Sequence, residues 1–307
     1  NAVDSITTGD YNVGLGDGAL TATTSGIDNV AVGRNALSGN TTGLHNTAIG
    51  DRAMTANVDG GYNTAVGLLA LGSNISGSYN VATGRSALQA NLGTSNTANG
   101  YAALSANTTG NQNTALGRNA MDANTTANNN VAIGYEAMTA NTTGSPNVAV
   151  GAYALQSNTT AANNTGIGYF ALGANTTGSQ NTAVGRLALD DNTTASENTA
   201  IGNSALGANT TGAENTAVGS ATLTTNIVGS NNTAVGREAL KANTVSNNTA
   251  VGADALKANT TGSANTATGA LALGANTTGV TNAAFGFAAL DANTTGASNT
   301  AMGAYAM

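Results

Sequence analysis

The sequence predicts an all-β fold, a parallel β-roll or β-solenoid built from coils of about 17 residues. Three observations predict it: a fixed repeat period, short extended runs separated by turn residues, and too few large apolar side chains for an ordinary globular core. Of the 307 residues, 41 are Gly, 4% are aromatic and 7% are charged, and the chain has no Trp and no Cys. A stack of small coils accommodates this composition, because each coil needs little bulk inside.

The repeat is an Asn-x-x-x-Gly unit that occurs 18 times, with fifteen steps of 17 residues and two steps of 16. The common unit is N-T-A-V-G-x-x-A-L-x-A-N-T-T-G-x-x, nearly perfect in residues 181–197, and its positions are called places one to seventeen. The units begin at Asn12, Asn29, Asn46, Asn63, Asn80, Asn96, Asn113, Asn130, Asn147, Asn164, Asn181, Asn198, Asn215, Asn232, Asn248, Asn265, Asn282 and Asn299. The pattern predicts one repeat array over residues 1–307, with a half coil at 1–11 and coils at 12–307. We expect it to be an excerpt of a longer fibre.

Each unit predicts two strands, N-T-A-V-G and A-L-x-A-N-T-T, because Thr, Asn and Gly are poor helix formers and most units contain at least two Gly. Stacking pairs each strand with its equivalent one coil away, giving parallel in-register sheets and a rod. The alternation of side chains places Thr and Val of the first strand inside, with Leu of the second. The expected coil core is represented by Val184, Leu189, Ile201 and Leu206. The expected Asn ladders are represented by Asn181, Asn192, Asn198 and Asn209.

The other face of the first strand, formed by Asn, Ala and Gly, is small, uncharged and nearly uniform over the units. A solvent-exposed face varies more, so this uniformity predicts close packing against identical chains, most simply as a homotrimer. A coil stack this thin buries little apolar area by itself, which also favours association. Two alternatives remain open: Gly and Ala suit tight coils without any partner, or the face is a flat surface that matches ordered water.

The unit N-T-A-V-G-x-x-A-L resembles the YadA-like head repeats of trimeric autotransporter adhesins. It is also similar to the NTAxGxxAL arrays of phage tail fibres and related bacterial fibre proteins. Residues 181–189 and 198–206 carry the resemblance best, and it covers essentially the whole chain. The resemblance implies a left-handed parallel β-roll, three chains side by side, and a role in surface attachment. Because the head period is usually shorter than 17 and lacks the N-T-T-G loop, the fibre-shaft form fits better.

A stripe of Arg and aromatic residues occupies the sixth and seventh places, at the turn after the Gly that is present in every unit. Its candidate glycan-contact residues are Arg34, Arg85, Tyr101, Arg118, Tyr135, Tyr153, Tyr169, Arg186 and Arg237. Aromatic faces beside polar groups are typical of carbohydrate sites. The alternatives are a solvated turn whose long side chains shield the coil edge, and a seam between chains.

Several function classes are excluded at this stage. With no Cys and a single His, disulfides, Cys/His zinc sites and His-based triads are absent, and we expect no enzyme, cofactor or metal site. A pI of about 4.4 with eight basic residues argues against nucleic-acid binding. The sequence has no apolar run long enough to predict that this segment inserts into a membrane.

The leading hypothesis is a non-enzymatic shaft of an extracellular, cell-surface or virion fibre, with identical chains as partners. The second makes the array itself an adhesin that binds cell-surface glycans. The third is an ice-binding solenoid that uses the Thr rows of the second, thirteenth and fourteenth places.

Overall fold

The computed structural model describes residues 7–307, which form short parallel strands joined by turns and contain no helix. The predicted parallel β-solenoid with coils of about 17 residues is therefore confirmed. The chain divides into two compact units, residues 1–152 and residues 153–307, and each carries nine strands.

Unit 1 contains β1 Val13–Leu15, β2 Val30–Val32, β3 Thr47–Ile49, β4 Thr64–Val66, β5 Val81–Thr83, β6 Thr97–Asn99, β7 Thr114–Leu116, β8 Val131–Ile133 and β9 Asn147–Val150. Unit 2 contains β10 Asn164–Ile167, β11 Thr182–Val184, β12 Thr199–Ile201, β13 Thr216–Val218, β14 Thr233–Val235, β15 Thr249–Val251, β16 Thr266–Thr268, β17 Ala283–Phe285 and β18 Thr300–Met302. Within each unit every strand pairs in parallel with the next strand in sequence. The register follows the repeat, so that Thr182 lies opposite Thr199 and Val184 opposite Ile201.

Each coil has one strand and not the two that the sequence predicted. The A-L-x-A-N segment forms consecutive turns, in which the Ala188 N–H donates to the Gly185 carbonyl and the Asn192 N–H to the Leu189 carbonyl. Leu189 itself has a φ of +50°, and the residue at the ninth place repeats this value closely in the other coils. Left-handed backbone is unusual for Leu, so the sequence gave no reason to expect turns here.

The interior of the coil differs from the prediction on one face. Leu189 and Leu206 are fully buried, as predicted, but Val184 is only half-buried and Ile201 is 40% exposed. The first-place Asn and the third-place Ala point inward instead, and they are buried in the coils from Asn29 to Asn282. The predicted packing of the Asn-Ala-Gly face against identical chains is therefore wrong, because that face lines the inside of its own coil.

Two rows of buried Asn hold the coils together. At the twelfth place, Asn192 Nδ2 donates to Asn175 Oδ1 at 2.9 Å and to the carbonyl of Ala195 in its own coil at 3.0 Å. At the first place, the backbone N–H of Asn198 donates to Asn181 Oδ1 at 3.0 Å, and its Nδ2 lies 3.3 Å from the same oxygen. The expected Asn ladders are present, and they also include backbone groups.

The fifteenth-place carbonyl is the shared acceptor of the two rows. In the coil that begins at Asn29, Nδ2 of Asn29 and Nδ2 of Asn40 donate to the carbonyl of Gly43 at 2.9 and 3.0 Å. Most of the described coils are closed in this way by one carbonyl that accepts two side-chain amides. We call this three-residue arrangement the amide clip.

Both 16-residue coils keep the amide clip. In the shorter coil that begins at Asn80, Asn91 Nδ2 donates to Gly93 at 2.8 Å, and Asn80 Nδ2 donates to the same carbonyl at 3.0 Å. The deletion therefore removes one residue between the twelfth and fifteenth places, in the segment that follows the second Asn of the coil. The clip, and not the loop length, is what the coil retains.

The fifth place requires Gly because its backbone is left-handed and because a Cβ there would collide with the next coil. Gly50 has a φ of +141°, and a Cβ placed on it would lie 2.6 Å from the carbonyl oxygen of Gly67 in the next coil. Only Gly adopts that backbone without strain and permits the coils to approach at strand spacing.

Replacing a clip Asn by an acid of the same size tests the ladder. Asn192→Asp removes both Nδ2 donors and places a carboxylate against Asn175 Oδ1 and the Ala195 carbonyl. We expect a loss of about 2 kcal/mol or more, since orphaned buried groups cost roughly 1–3 kcal/mol each. The measurement is urea unfolding followed by circular dichroism. Asn203→Asp, at an exposed sixth place, adds the same charge and should leave the midpoint nearly unchanged. Equal midpoints for the two variants would contradict a structural role of the ladder.

Candidate functional site

The outward face of the strands is the most extensive regular surface of each unit. It carries the second and fourth places, which are Thr or a β-branched residue in most coils and hold no charged residue in any of the eighteen strands. Ile133, Ile167 and Ile201 are 36–40% exposed on this face. In-register pairing aligns equivalent side chains into rows, so the face is a flat array of hydroxyl and methyl groups. We call it the Thr/Val face.

Four residues of the predicted stripe come together in unit 1. At the sixth places of four successive coils, Arg85, Tyr101, Arg118 and Tyr135 alternate along the stack. The Arg85 Cζ lies 5.7 Å from the centroid of the Tyr101 ring, and Arg118 Cζ lies 5.8 Å from the same ring and 5.7 Å from the Tyr135 ring. These distances are those of cation–π contacts. We call this set the arginine–tyrosine column.

The other arginines of the stripe have carboxylates as neighbours. Arg34 donates through Nε and Nη2 to the two carboxylate oxygens of Asp51, at 3.1 and 2.8 Å, and this pairing lowers the pKa of Asp51. Arg237 lies 2.7 Å from Asp254, and Arg186 lies close enough to Asp190 to favour its ionised form. The residues of the predicted stripe therefore lie in several different local environments.

Aromatic residues of the stripe in unit 2 also form a cluster. Tyr153 and Tyr169 meet edge to face with ring centroids 5.9 Å apart, and Phe170 lies 5.0 Å from Tyr153 and 5.3 Å from Tyr169. Stacking of this kind stabilises exposed rings by about 0.5–1.5 kcal/mol per pair.

A second aromatic column, at the seventeenth place, was missed by the sequence analysis. His45 stacks on Tyr62 at 4.8 Å and Tyr62 on Tyr79 at 5.1 Å, while His45 Nδ1 lies 3.6 Å from Asp28. The signal was present, because these residues recur at intervals of 17. The column was not predicted because the seventeenth place varies freely elsewhere.

A network of five charged side chains joins two coils of unit 2. Lys257 lies 2.6 Å from Glu238 and 3.0 Å from Asp254, and Lys241 lies 3.1 Å from Glu238. Hydrogen bonds from Lys257 and Lys241 lower the pKa of Glu238 to about 2. Arg237 completes the network through Asp254. The side chains of Arg237 and the lysines are substantially exposed, so the network stabilises the surface modestly.

The pKa values of two tenth-place carboxyl groups are shifted in the opposite direction, and burial is the main cause of the raised pKa of Asp122. Burial, followed by the charge of Asp191, raises the pKa of Asp190 to about 6. Asp190 occupies the tenth place of its coil, beside Gly207 of the next coil. Because its pKa lies between the usual value and neutrality, the charge of Asp190 depends on pH in that range.

The described residues, 7–307, contain no group of three or more His, Asp or Glu side chains that could hold a metal ion. Over the same range, no helix has the length and apolar character required to cross a bilayer. The regular surface features of this range are the Thr/Val face and two columns of stacked side chains.

No protein-family model matches the chain, and no curated protein matches it.

The raised pKa of Asp190 predicts a pH dependence of stability. Because the pKa is higher in the folded chain than the usual 3.8, ionisation costs more in the folded state, and stability falls as pH rises from about 4 through about 6. Asp190→Asn removes that loss and should raise the melting temperature at pH 7 but not at pH 4. The gain is at most about 1 kcal/mol, since the carboxyl remains partly in solvent.

Thermal unfolding at pH 4, 5, 6 and 7 measures this dependence. Asp291→Asn, at the same place of an exposed coil edge, is the matched control and should show no comparable gain. A wild-type profile that is flat between pH 4 and pH 7 would contradict the expectation.

Proposed function

We propose that the chain is a non-enzymatic structural shaft of an extracellular or virion fibre, in which three identical chains associate along their Thr/Val faces and project an attachment element. The single observation that carries the proposal is this face, which is regular, uncharged and exposed in the single chain. The resemblance to trimeric fibre repeats agrees with it.

The size of the Thr/Val face favours a partner. Nine strands at a spacing of about 4.8 Å, with about 10 Å of strand width, give about 400 Å² per unit. Contiguous apolar patches larger than a few hundred Å² mark interaction surfaces in soluble proteins. Because the same residues recur in every coil, equivalent coils of identical chains present matching rows to one another.

A closed association of identical chains covers this face along its entire length. In a cyclic trimer, the Thr and Val side chains of three equivalent strands meet around the symmetry axis and form a second core beside the Leu core of each coil. This arrangement uses the face opposite to the one that the sequence analysis assigned to the contact. It also adds apolar burial to coils whose interior holds one large apolar side chain each.

The oligomeric mass tests the trimer. Wild-type protein should scatter light as a particle of three times 29.6 kDa. The triple variant Val184→Asp, Ile201→Asp, Val218→Asp should run as a folded monomer, since nine carboxylates would meet in the shared core and unpaired buried charges cost several kcal/mol each. A monomeric wild-type protein, or a triple variant that is still trimeric, would contradict the proposal.

Two controls separate association from folding. Asn203→Asp, Ser220→Asp and Ala270→Asp together place the same charges at sixth places, away from the Thr/Val face, and should leave the trimer intact. Leu189→Asp buries a carboxylate inside the coil and should abolish the circular dichroism signal of the fold whatever the oligomeric state.

The Thr/Val face also supports a second candidate function, ice binding by a single chain. Rows of Thr hydroxyls and β-branched methyl groups repeat at about 4.8 Å along the stack and about 7 Å across it. The thirteenth-place Thr row contributes less than the sequence suggested, since Thr193 Oγ1 already donates to the Thr210 carbonyl at 3.3 Å. The second-place row on the strands is therefore the surface to test.

Ice binding has its own readout. A monomer that binds ice should show thermal hysteresis, and Thr199→Asp should reduce the hysteresis because it interrupts the regular array. The sixth-place variant Asn203→Asp should keep the full effect. Absence of hysteresis in the wild-type protein would exclude this candidate, and the trimer predicts that absence because the face is then covered.

A further inference from the structure

The arginine–tyrosine column of unit 1 differs from every other arginine site in the chain. Arg85 and Arg118 place their guanidinium groups over tyrosine rings, whereas Arg34 and Arg237 direct theirs to the carboxylates of Asp51 and Asp254. Over residues 7–307, the structure shows no ion pair for Arg85 or Arg118. Two stacked cations without a carboxylate partner therefore lie on the surface of a chain with a net charge of −7.

The guanidinium groups of the column remain accessible to an anion. Arg85 and Arg118 are both exposed, so their N–H groups can bind a carboxylate through two parallel hydrogen bonds. Arginine suits this arrangement better than lysine because its charge is delocalised and weakly hydrated. The column can thus accept an anion without disrupting its own contacts.

The backbone fixes the spacing of the column. The N–H of Ala102 donates to the Arg85 carbonyl at 3.0 Å, and the N–H of Asn119 donates to the Tyr101 carbonyl at 2.9 Å. The next step is the same, since the N–H of Glu136 donates to the Arg118 carbonyl at 3.0 Å. Each sixth-place residue is therefore held to the following coil, and its side chain projects from a preorganised position.

We propose that this column binds a linear acidic polysaccharide in which charged and neutral sugars alternate. Arg85 and Arg118 are two coils apart, which is about 10 Å at the strand spacing. Each sugar lengthens an extended polysaccharide by a distance similar to the spacing of one coil. Carboxylates of alternate sugars reach the two guanidinium groups. The neutral sugar between them packs on the exposed part of Tyr101, and Tyr135 contacts the next one.

Exposure and chemistry agree with a sugar ligand. Tyr101 is 47% exposed and Tyr135 38%, which leaves ring edges and phenol hydroxyls accessible to pyranose C–H and hydroxyl groups. A nucleic acid fits less well, because its backbone needs a denser basic footprint than two arginines flanked by Glu136. The binding site is independent of the Thr/Val face, since it occupies the turn after the strand.

The test uses the intact protein and a defined probe. Binding of a hyaluronan oligosaccharide of ten sugars is measured by calorimetry in low salt, beside the same oligosaccharide with its carboxyl groups reduced to alcohols and a single-stranded oligonucleotide of similar length. We expect binding of the carboxylated probe and at least tenfold weaker binding of the reduced one, since charge-assisted hydrogen bonds dominate the contact.

Variants assign the binding to the column. Arg85→Gln with Arg118→Gln should weaken binding at least tenfold, and Tyr101→Leu should weaken it by a smaller factor. The matched control, Arg34→Gln with Asp51→Asn, alters a sixth-place arginine that already has a partner and should change binding less than twofold. Circular dichroism and the oligomeric mass should be the same for all of these proteins.

Three outcomes would overturn the proposal: no binding of the carboxylated probe by wild type, equal binding by the Arg85/Arg118 variant, or tighter binding of the oligonucleotide than of the oligosaccharide. None of them bears on the trimer, whose test is the mass.

Discussion

The amide clip is the interaction on which the rest of this structure depends. In most of the described coils two asparagine side chains donate to one fifteenth-place carbonyl, and their oxygens accept donors from the following coil. A buried amide that loses its partners costs more than a typical hydrogen bond contributes, so the clip tolerates neither a register shift nor a missing coil. The coils therefore stack in register even though each contains a single large apolar side chain.

The orientation of the strand follows from the clip. Because the first-place Asn must point inward to reach its partners, the third-place Ala points inward as well, and the second and fourth places face outward. Judged by hydrophobicity alone, Val184 belongs inside and Asn181 outside. The satisfaction of the buried amide outweighs the burial of one valine, and the regular apolar face that remains outside is what gives the molecule a surface suited to a partner.

In the turns of the coil, hydrogen bonding again outweighs the conformational preference of a side chain. Leu189 adopts a positive φ that its side chain disfavours, yet its N–H donates to the carbonyl of Ala205 in the next coil and its side chain is fully buried. The strain of one residue is small beside the hydrogen bonds and the apolar burial it makes possible. The surface columns arise from the same regularity, since any side chain recurring at one place is stacked on its equivalents.

The sequence by itself determined the period, the parallel stacking, the asparagine ladders, the buried leucines and the need for glycine at the fifth place, because each of these leaves a residue type at a fixed interval. It also identified the residues of the sixth-place stripe. Tertiary structure alone decided which strand face lies inside, that Leu189 lies in a turn, that Arg85 contacts Tyr101 while Arg34 pairs with Asp51, and that His45 stacks on Tyr62. Those outcomes depend on hydrogen-bond satisfaction and on neighbours one coil away, which a pattern of hydrophobic and polar letters does not encode.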